Sequence, residues 1–217
     1  MSARCQLVRR ERAGAPGAGT LVALHSDGAD SRELVALCEA IDARRAVVAP
    51  QAPRAKSPFH SSGAPDTPAW RAYAGFAWFR RGEDARPEPA SFGDSLAQLE
   101  ALALELHAGG AAPLALVGRG DGATLALGAA RAFPELFEAV VALGRARPEL
   151  ASFGERQPIP ADLPLLELEA GETSDTDLCS AADRIREFLE ARREGARHGR
   201  GREQEAHQDV LQAHRHG

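Results

Sequence analysis

Short apolar runs rich in Val and Leu alternate along this chain with longer stretches of helical period, the pattern of a mostly parallel sheet covered by helices. The run from Thr20 to Leu24 predicts a strand. After a polar turn, Leu34, Leu37, Cys38 and Ile41 fall at i, i+3, i+4 and i+7 and predict a helix with one buried face. Asp30 and Glu33 carry the capping-box spacing that would open it. A second strand is expected from Ala46 to Ala49, ended by Pro50, which has no N–H to give to a ladder.

From Gln51 to Pro89 the pattern is loop-like, dense in proline and glycine, and it holds the aromatic cluster Trp70, Tyr73, Phe76, Trp78 and Phe79. Loops of this length in one domain are usually functional or disordered. Ser95 with Gln98 is expected to open the next helix, whose stripe is Leu99, Leu102, Ala103 and Leu106 and which ends at Gly109-Gly110. A strand over Leu114 to Val117, a glycine-rich turn and a small-residue helix from Ala123 to Phe133 follow. Val140 to Leu143 and Leu165 to Ala170 predict two more strands. The last helix is expected from about Leu178 to Arg193, with Ile185, Phe188 and Leu189 inward. Beyond Gly195 little could be buried, so the final strand is weak or missing. The domain reading is therefore residues 1–194 as one unit and 195–217 as a polar Arg/His-rich tail, solvated and mobile.

Composition narrows the function classes. With 217 residues, 44% of them hydrophobic, one core is the expectation. A net charge of -5, with Lys56 the only lysine, offers no basic field for nucleic acid. Cys5, Cys38 and Cys179 are odd in number and show neither zinc nor redox spacing, which fits reduced thiols and a cytoplasmic setting. No apolar run is long enough to span a membrane. No metal or cofactor is expected. His207, His214 and His216 lack the spacing of a tetrahedral site.

The segment that carries chemistry is Leu116-Val117-Gly118-Arg119-Gly120-Asp121-Gly122-Ala123: a strand, a tight turn and a helix. That is the setting of the Gly-x-Ser-x-Gly nucleophile elbow, in which the outer glycines allow a sharp turn to lift the central side chain above the sheet. Gly118 and Gly122 occupy the outer positions. Gly120 occupies the centre.

Three further segments join the elbow in order: Leu24-His25-Ser26-Asp27-Gly28, Pro50-Gln51-Ala52-Pro53, and Pro134-Glu135-Leu136-Phe137 running into Val140 to Leu143. Together, over roughly residues 20 to 175, the chain resembles the small carboxylesterase/phospholipase family, acyl-protein thioesterase-like, of the α/β-hydrolase superfamily. The resemblance implies an α/β-hydrolase fold and acyl-ester hydrolysis by a Ser-His-Asp triad, with an oxyanion hole of two backbone N–H groups. By position these donors would be Asp27 and Asp121. Gly120 stands where the nucleophilic serine belongs, and a glycine cannot attack a carbonyl. Removal of a triad serine costs on the order of 10^6 in turnover, with about 10^3 to 10^4 over water surviving from the hole and binding alone. If the Asp27 and Asp121 side chains face the hole, each opposes a developing oxyanion by ~3 kcal/mol at ~5 Å and an effective dielectric of ~20. A register shift making Asp121 the nucleophile would put Arg119 where a small residue is needed.

For the acid, the resemblance implies Asp175, about one residue late, with helix capping as its other reading. For the base it implies His207, by distance from the last helix, though the polar tail offers nothing to hold it. His25 reads as a cleft residue by resemblance and as a hydrogen-bonded structural histidine by its place at the end of a buried strand. Trp70 and Trp78 would line a substrate cleft or cover the core. The expectation is a catalytically impaired esterase-like protein, a pseudoenzyme acting as a binding or interaction module for a small acyl ester or related ligand, as a monomer or homodimer. The competing readings are a working carboxylic-ester hydrolase using Ser26, Asp121 or water, and a diverging chain without selected activity.

Overall fold

Among the described residues, six strands form one sheet, in the spatial order Arg9–Arg12, Ala46–Pro50, Thr20–Leu24, Leu114–Arg119, Ala139–Leu143 and Leu165–Leu168. The computed structural model describes residues 7–56, 75–144, 158–169 and 180–192. The strands are β1 (Arg9–Arg12), β2 (Thr20–Leu24), β3 (Ala46–Pro50), β6 (Leu114–Arg119), β7 (Ala139–Leu143) and β8 (Leu165–Leu168). All pair in parallel except β1, which runs antiparallel along β3. A small antiparallel pair, β4 (Arg54–Ala55) and β5 (Phe76–Ala77), stands apart.

The sheet alternates its side chains between two helical layers, as a period of two requires. Val22, Leu24, Leu114, Leu116 and Val140 face α2 (Pro89–Ala108) and α3 (Asp121–Ala132), whose Phe92, Leu99, Leu102, Leu125 and Ala126 complete that core. Leu21, Ala23, Ala115, Val117, Val141 and Leu143 face the other way, onto α1 (Val35–Ile41) and a helix over 180–192, α4. Leu37, Cys38, Ile41, Ala182, Ile185 and Leu189 are buried there.

The expected elements form, with corrections at their ends. α1 begins at Val35 and has no side-chain cap. Asp30 instead receives the Arg32 N–H, and Glu33 reaches back to Ser26, so the capping box does not form. α2 begins at Pro89, six residues before Ser95, because Pro89 is preorganised for a first helical position and the Glu88 side chain accepts the Ser91 N–H. Ser95 is buried and its hydroxyl donates to the Trp78 carbonyl. Pro50 is inside β3 as its last residue, at a point where the pairing with β2 has already ended. β1, Arg-Arg-Glu-Arg in sequence, has no apolar alternation and was not expected; charge on an edge strand blocks pairing with another chain. Trp70, Tyr73, Asp175, His207 and the tail from residue 195 lie outside the described residues.

The chain leaves β2 toward β3 on one side and leaves β6 toward β7 on the other. The carboxyl ends of β2 and β6 therefore flank the switch point of the sheet, where open α/β sheets bind their ligands.

Candidate functional site

Gly120 forms the crest between β6 and α3, with φ 54° and ψ -114°. An L-residue adopts this conformation only under strain, and such strain concentrates at functional turns. The bend is held on both sides. The Gly120 N–H donates to the Leu143 carbonyl at 3.0 Å, and its carbonyl accepts the Thr124 N–H, also at 3.0 Å.

The three glycines of the turn are not equivalent. A Cβ on Gly122 would lie 2.0 Å from the Leu24 carbonyl oxygen, and one on Gly118 would lie 2.4 Å from the Gly122 carbonyl oxygen. Both contacts are with backbone and cannot be relieved by turning a side chain. A Cβ on Gly120 would meet nothing nearer than the Ser26 Cβ, at 3.4 Å. The outer glycines are thus demanded by packing, whereas the centre has room for a Cβ, although its positive φ strains one. This pattern also fixes the register: Asp121 is the first helical residue and not the crest, so the shifted elbow with Asp121 as nucleophile does not form.

Across the switch point, β2 leads into His25, Ser26 and Asp27. His25 is 1% exposed. Its Nε2 accepts the Ala52 N–H at 3.1 Å and faces the Gln51 Nε2 at 3.0 Å, so its Nδ1 carries the proton and donates to the Ser26 carbonyl at 2.8 Å. Burial drives its pKa below 6.5, against a smaller raising effect from the Ser26 hydrogen bond. The Trp78 ring is fully buried against His25, and its Nε1 donates to the His25 carbonyl at 2.8 Å. Neither ring offers a surface to a ligand. The cleft role expected of His25 and Trp78 gives way to a scaffold role: together they fix the path of the backbone into Asp27.

Ser26 is locked by Glu33. Its N–H donates to Glu33 Oε2 at 2.6 Å and its hydroxyl donates to Oε1 at 2.7 Å, while Arg119 Nη1 approaches the same Oε1 at 3.4 Å. Glu33 was missed as a site residue because its spacing from Asp30 reads as a helix cap.

The backbone N–H groups of Asp27 and Asp121 make no hydrogen bond among the described residues. Both residues line one cavity of 520 Å³, together with Arg54, Lys56, Arg80, Arg81, Ala77 and Phe79. Asp27 and Asp121 are thus brought to a common space. Each carboxylate is matched there by a cation: Asp27 Oδ2 lies 2.6 Å from Lys56 Nζ, and Asp121 Oδ1 contacts Arg81 Nη2. These pairs counter the repulsion that lone carboxylates would exert on an anion in the cavity. Asp121 is 6% exposed, and burial raises its pKa above the usual carboxylate value, opposed by Arg81. The cationic lining was not singled out in the sequence, although Arg80-Arg81 adjoins the aromatic cluster. Among the described residues no group of three or more His, Cys, Asp and Glu side chains is placed to hold a metal ion. No described helix is long and apolar enough to cross a membrane.

No family model matches the sequence, and no curated protein matches it. Solved structures do resemble the fold. The Bacillus cereus carboxylesterase superposes with a TM-score of 0.62 at 12% identity, over 84% of this chain and 95% of that one. A carboxylesterase from Mesorhizobium loti gives 0.55 at 20% identity, over 79% of this chain and 88% of that one. A protein of unknown function from Agrobacterium tumefaciens gives 0.61 at 18% identity, over 85% and 96% respectively. At such identities the likeness concerns the fold, and it is the α/β-hydrolase fold.

Proposed function

We propose that this chain is a carboxylesterase-like protein impaired in catalysis, one that binds an acyl ligand as a binding or interaction module without cleaving it through a serine. The observation that carries the reading is the crest of the elbow: backbone bent as a nucleophile turn at Gly120, space for a Cβ, and no side chain to attack. The uncommitted N–H groups of Asp27 and Asp121 support retention of a hole that holds an acyl oxygen. In this reading Asp175 and His207 are the former acid and base, and the buried, free Cys38 accords with a reducing cytoplasmic setting.

The test is hydrolysis of short-chain nitrophenyl esters by the native chain and by Gly120→Ser. The native chain is expected to show no saturable turnover above buffer. Native turnover that disappears in His207→Ala would contradict the proposal. Activity gained only in Gly120→Ser would mean that Asp175, His207 and the hole stand in working geometry; a folded but silent Gly120→Ser would mean that the rest of the triad is lost as well.

A second reading is favoured by one contact. The Ser26 hydroxyl donates to Glu33 at 2.7 Å, and the Ser26 Cβ lies 3.4 Å from where a Gly120 Cβ would sit, so Ser26 is an alternative nucleophile with Glu33 as base. Against it, both Glu33 oxygens are already engaged, Oε2 by the Ser26 N–H and Oε1 by the Ser26 hydroxyl and Arg119. Ester turnover lost in Ser26→Ala but kept in His207→Ala would select this reading.

A further inference from the structure

The cavity beside the elbow has a charge opposite to that of the chain. The whole sequence carries -5, yet the cavity is lined by four cations, Arg54, Lys56, Arg80 and Arg81, and two carboxylates, Asp27 and Asp121. Three of the cations are already paired: Arg54 with Asp94 at 3.0 Å, Lys56 with Asp27, and Arg81 with Asp121. Arg80 is exposed and has no ion pair among the described residues. The remaining wall is apolar, from Ala77 and the Phe79 ring, with the Arg81 guanidinium 5.5 Å from that ring's centroid.

A neutral ester gains little from such a wall, and in a working hydrolase the positive field would retain the acid product. Without a nucleophile that cost disappears. We propose that this cavity is a receptor site for a monocarboxylate with a short apolar chain, the free acid that ester hydrolysis releases, not the ester itself. This inference rests on the proposed absence of serine turnover. The carboxylate accepts the N–H groups of Asp27 and Asp121 and faces Arg80, while its chain lies along Ala77 and Phe79. Arg80 is the one lining cation without an ion pair among the described residues, which matches a ligand of a single negative charge better than a dianion such as phosphate.

The test is calorimetric titration of the full chain with hexanoate, hexanamide, methyl hexanoate and inorganic phosphate, with ester turnover measured on the same samples. Hexanoate is expected to bind at least about tenfold more tightly than hexanamide, the scale of a hydrogen bond to a charged group. Arg80→Gln should weaken hexanoate by about three- to fivefold, as removal of one exposed charge does, and Arg80→Lys should restore most of it. Equal or tighter binding of hexanamide, methyl hexanoate or phosphate overturns the inference. So does an unchanged affinity in Arg80→Gln, or the absence of any hexanoate binding. Each of those results, with the chain still silent toward esters, leaves the proposed function standing; turnover of methyl hexanoate by the native chain defeats the proposed function first.

Discussion

Alanine placed in turn at Gly118, Gly120 and Gly122 should separate the glycines that the turn's packing requires from the one that only its backbone conformation favours. At Gly122 the new methyl would sit 2.0 Å from the Leu24 oxygen, 2.5 Å from the Leu24 carbonyl carbon and 2.7 Å from the His25 oxygen. Ordinary contact begins near 3.5 Å, so α3 must withdraw from the end of β2 by about an ångström, through a core packed at crystal density. The expected loss is about 3 kcal/mol, the upper end of overpacking costs. Gly118→Ala, with its nearest atoms at 2.4 Å and 2.6 Å, should lose nearly as much. Gly120→Ala moves no neighbour. It pays only for an unfavourable backbone conformation, about 1–3 kcal/mol, partly offset by about 0.4–1 kcal/mol from the stiffer unfolded chain. Its net loss should be about 1 kcal/mol. With a urea slope of about 2 kcal/mol/M, the unfolding midpoint should drop by about 1.5 M for Gly122→Ala and about 0.5 M for Gly120→Ala. Equal drops for the two variants would refute the distinction between the crowded and the open glycine.

Two more outcomes follow from buried charge. Arg45, 1% exposed, faces Glu138 Oε1 at 2.5 Å, off the hydrogen-bond direction, and has Asp42 at 4.0 Å. Glu138→Ala should cost about 2–3 kcal/mol in urea unfolding, below the about 3–5 kcal/mol of a fully broken buried pair because Asp42 remains; a loss under about 0.5 kcal/mol would show the pair to be idle. His25 has a folded pKa below its unfolded 6.5, so the unfolded chain binds more protons in that interval. Its stabilising contribution is present above about pH 6.5 and fades as the pH falls below that value; urea midpoints that stay flat from about pH 7.5 to about pH 5 in the native chain, or that fall as steeply in His25→Asn, would contradict this assignment.

The layers of this fold were legible in the sequence because buried parallel strands must be apolar on both faces. Thr20 to Leu24, Val140 to Leu143 and the stripe of α2 stand where their periodicity puts them. Elements held by other forces were not legible. β1 forms through backbone pairing with β3, and its side chains carry no apolar signal. The entry to α1 depends on where one carboxylate goes, and Glu33 finds two donors on Ser26 instead of the helix end. At the site, the glycine spacing was legible because backbone contact at Gly118 and Gly122 leaves no room for another residue type. The cations of the cavity are Arg54, Lys56, Arg80 and Arg81, on segments brought together by the β4-β5 pairing, a non-local contact with no sequence period.

The proposed lack of covalent attack at the crest can be measured by incubating the purified protein with an organophosphonate esterase probe and determining its intact mass. The native chain should keep its unmodified mass under conditions that label an active serine esterase to completion. A stoichiometric adduct, on Ser26 or any other residue at the cavity, would contradict it.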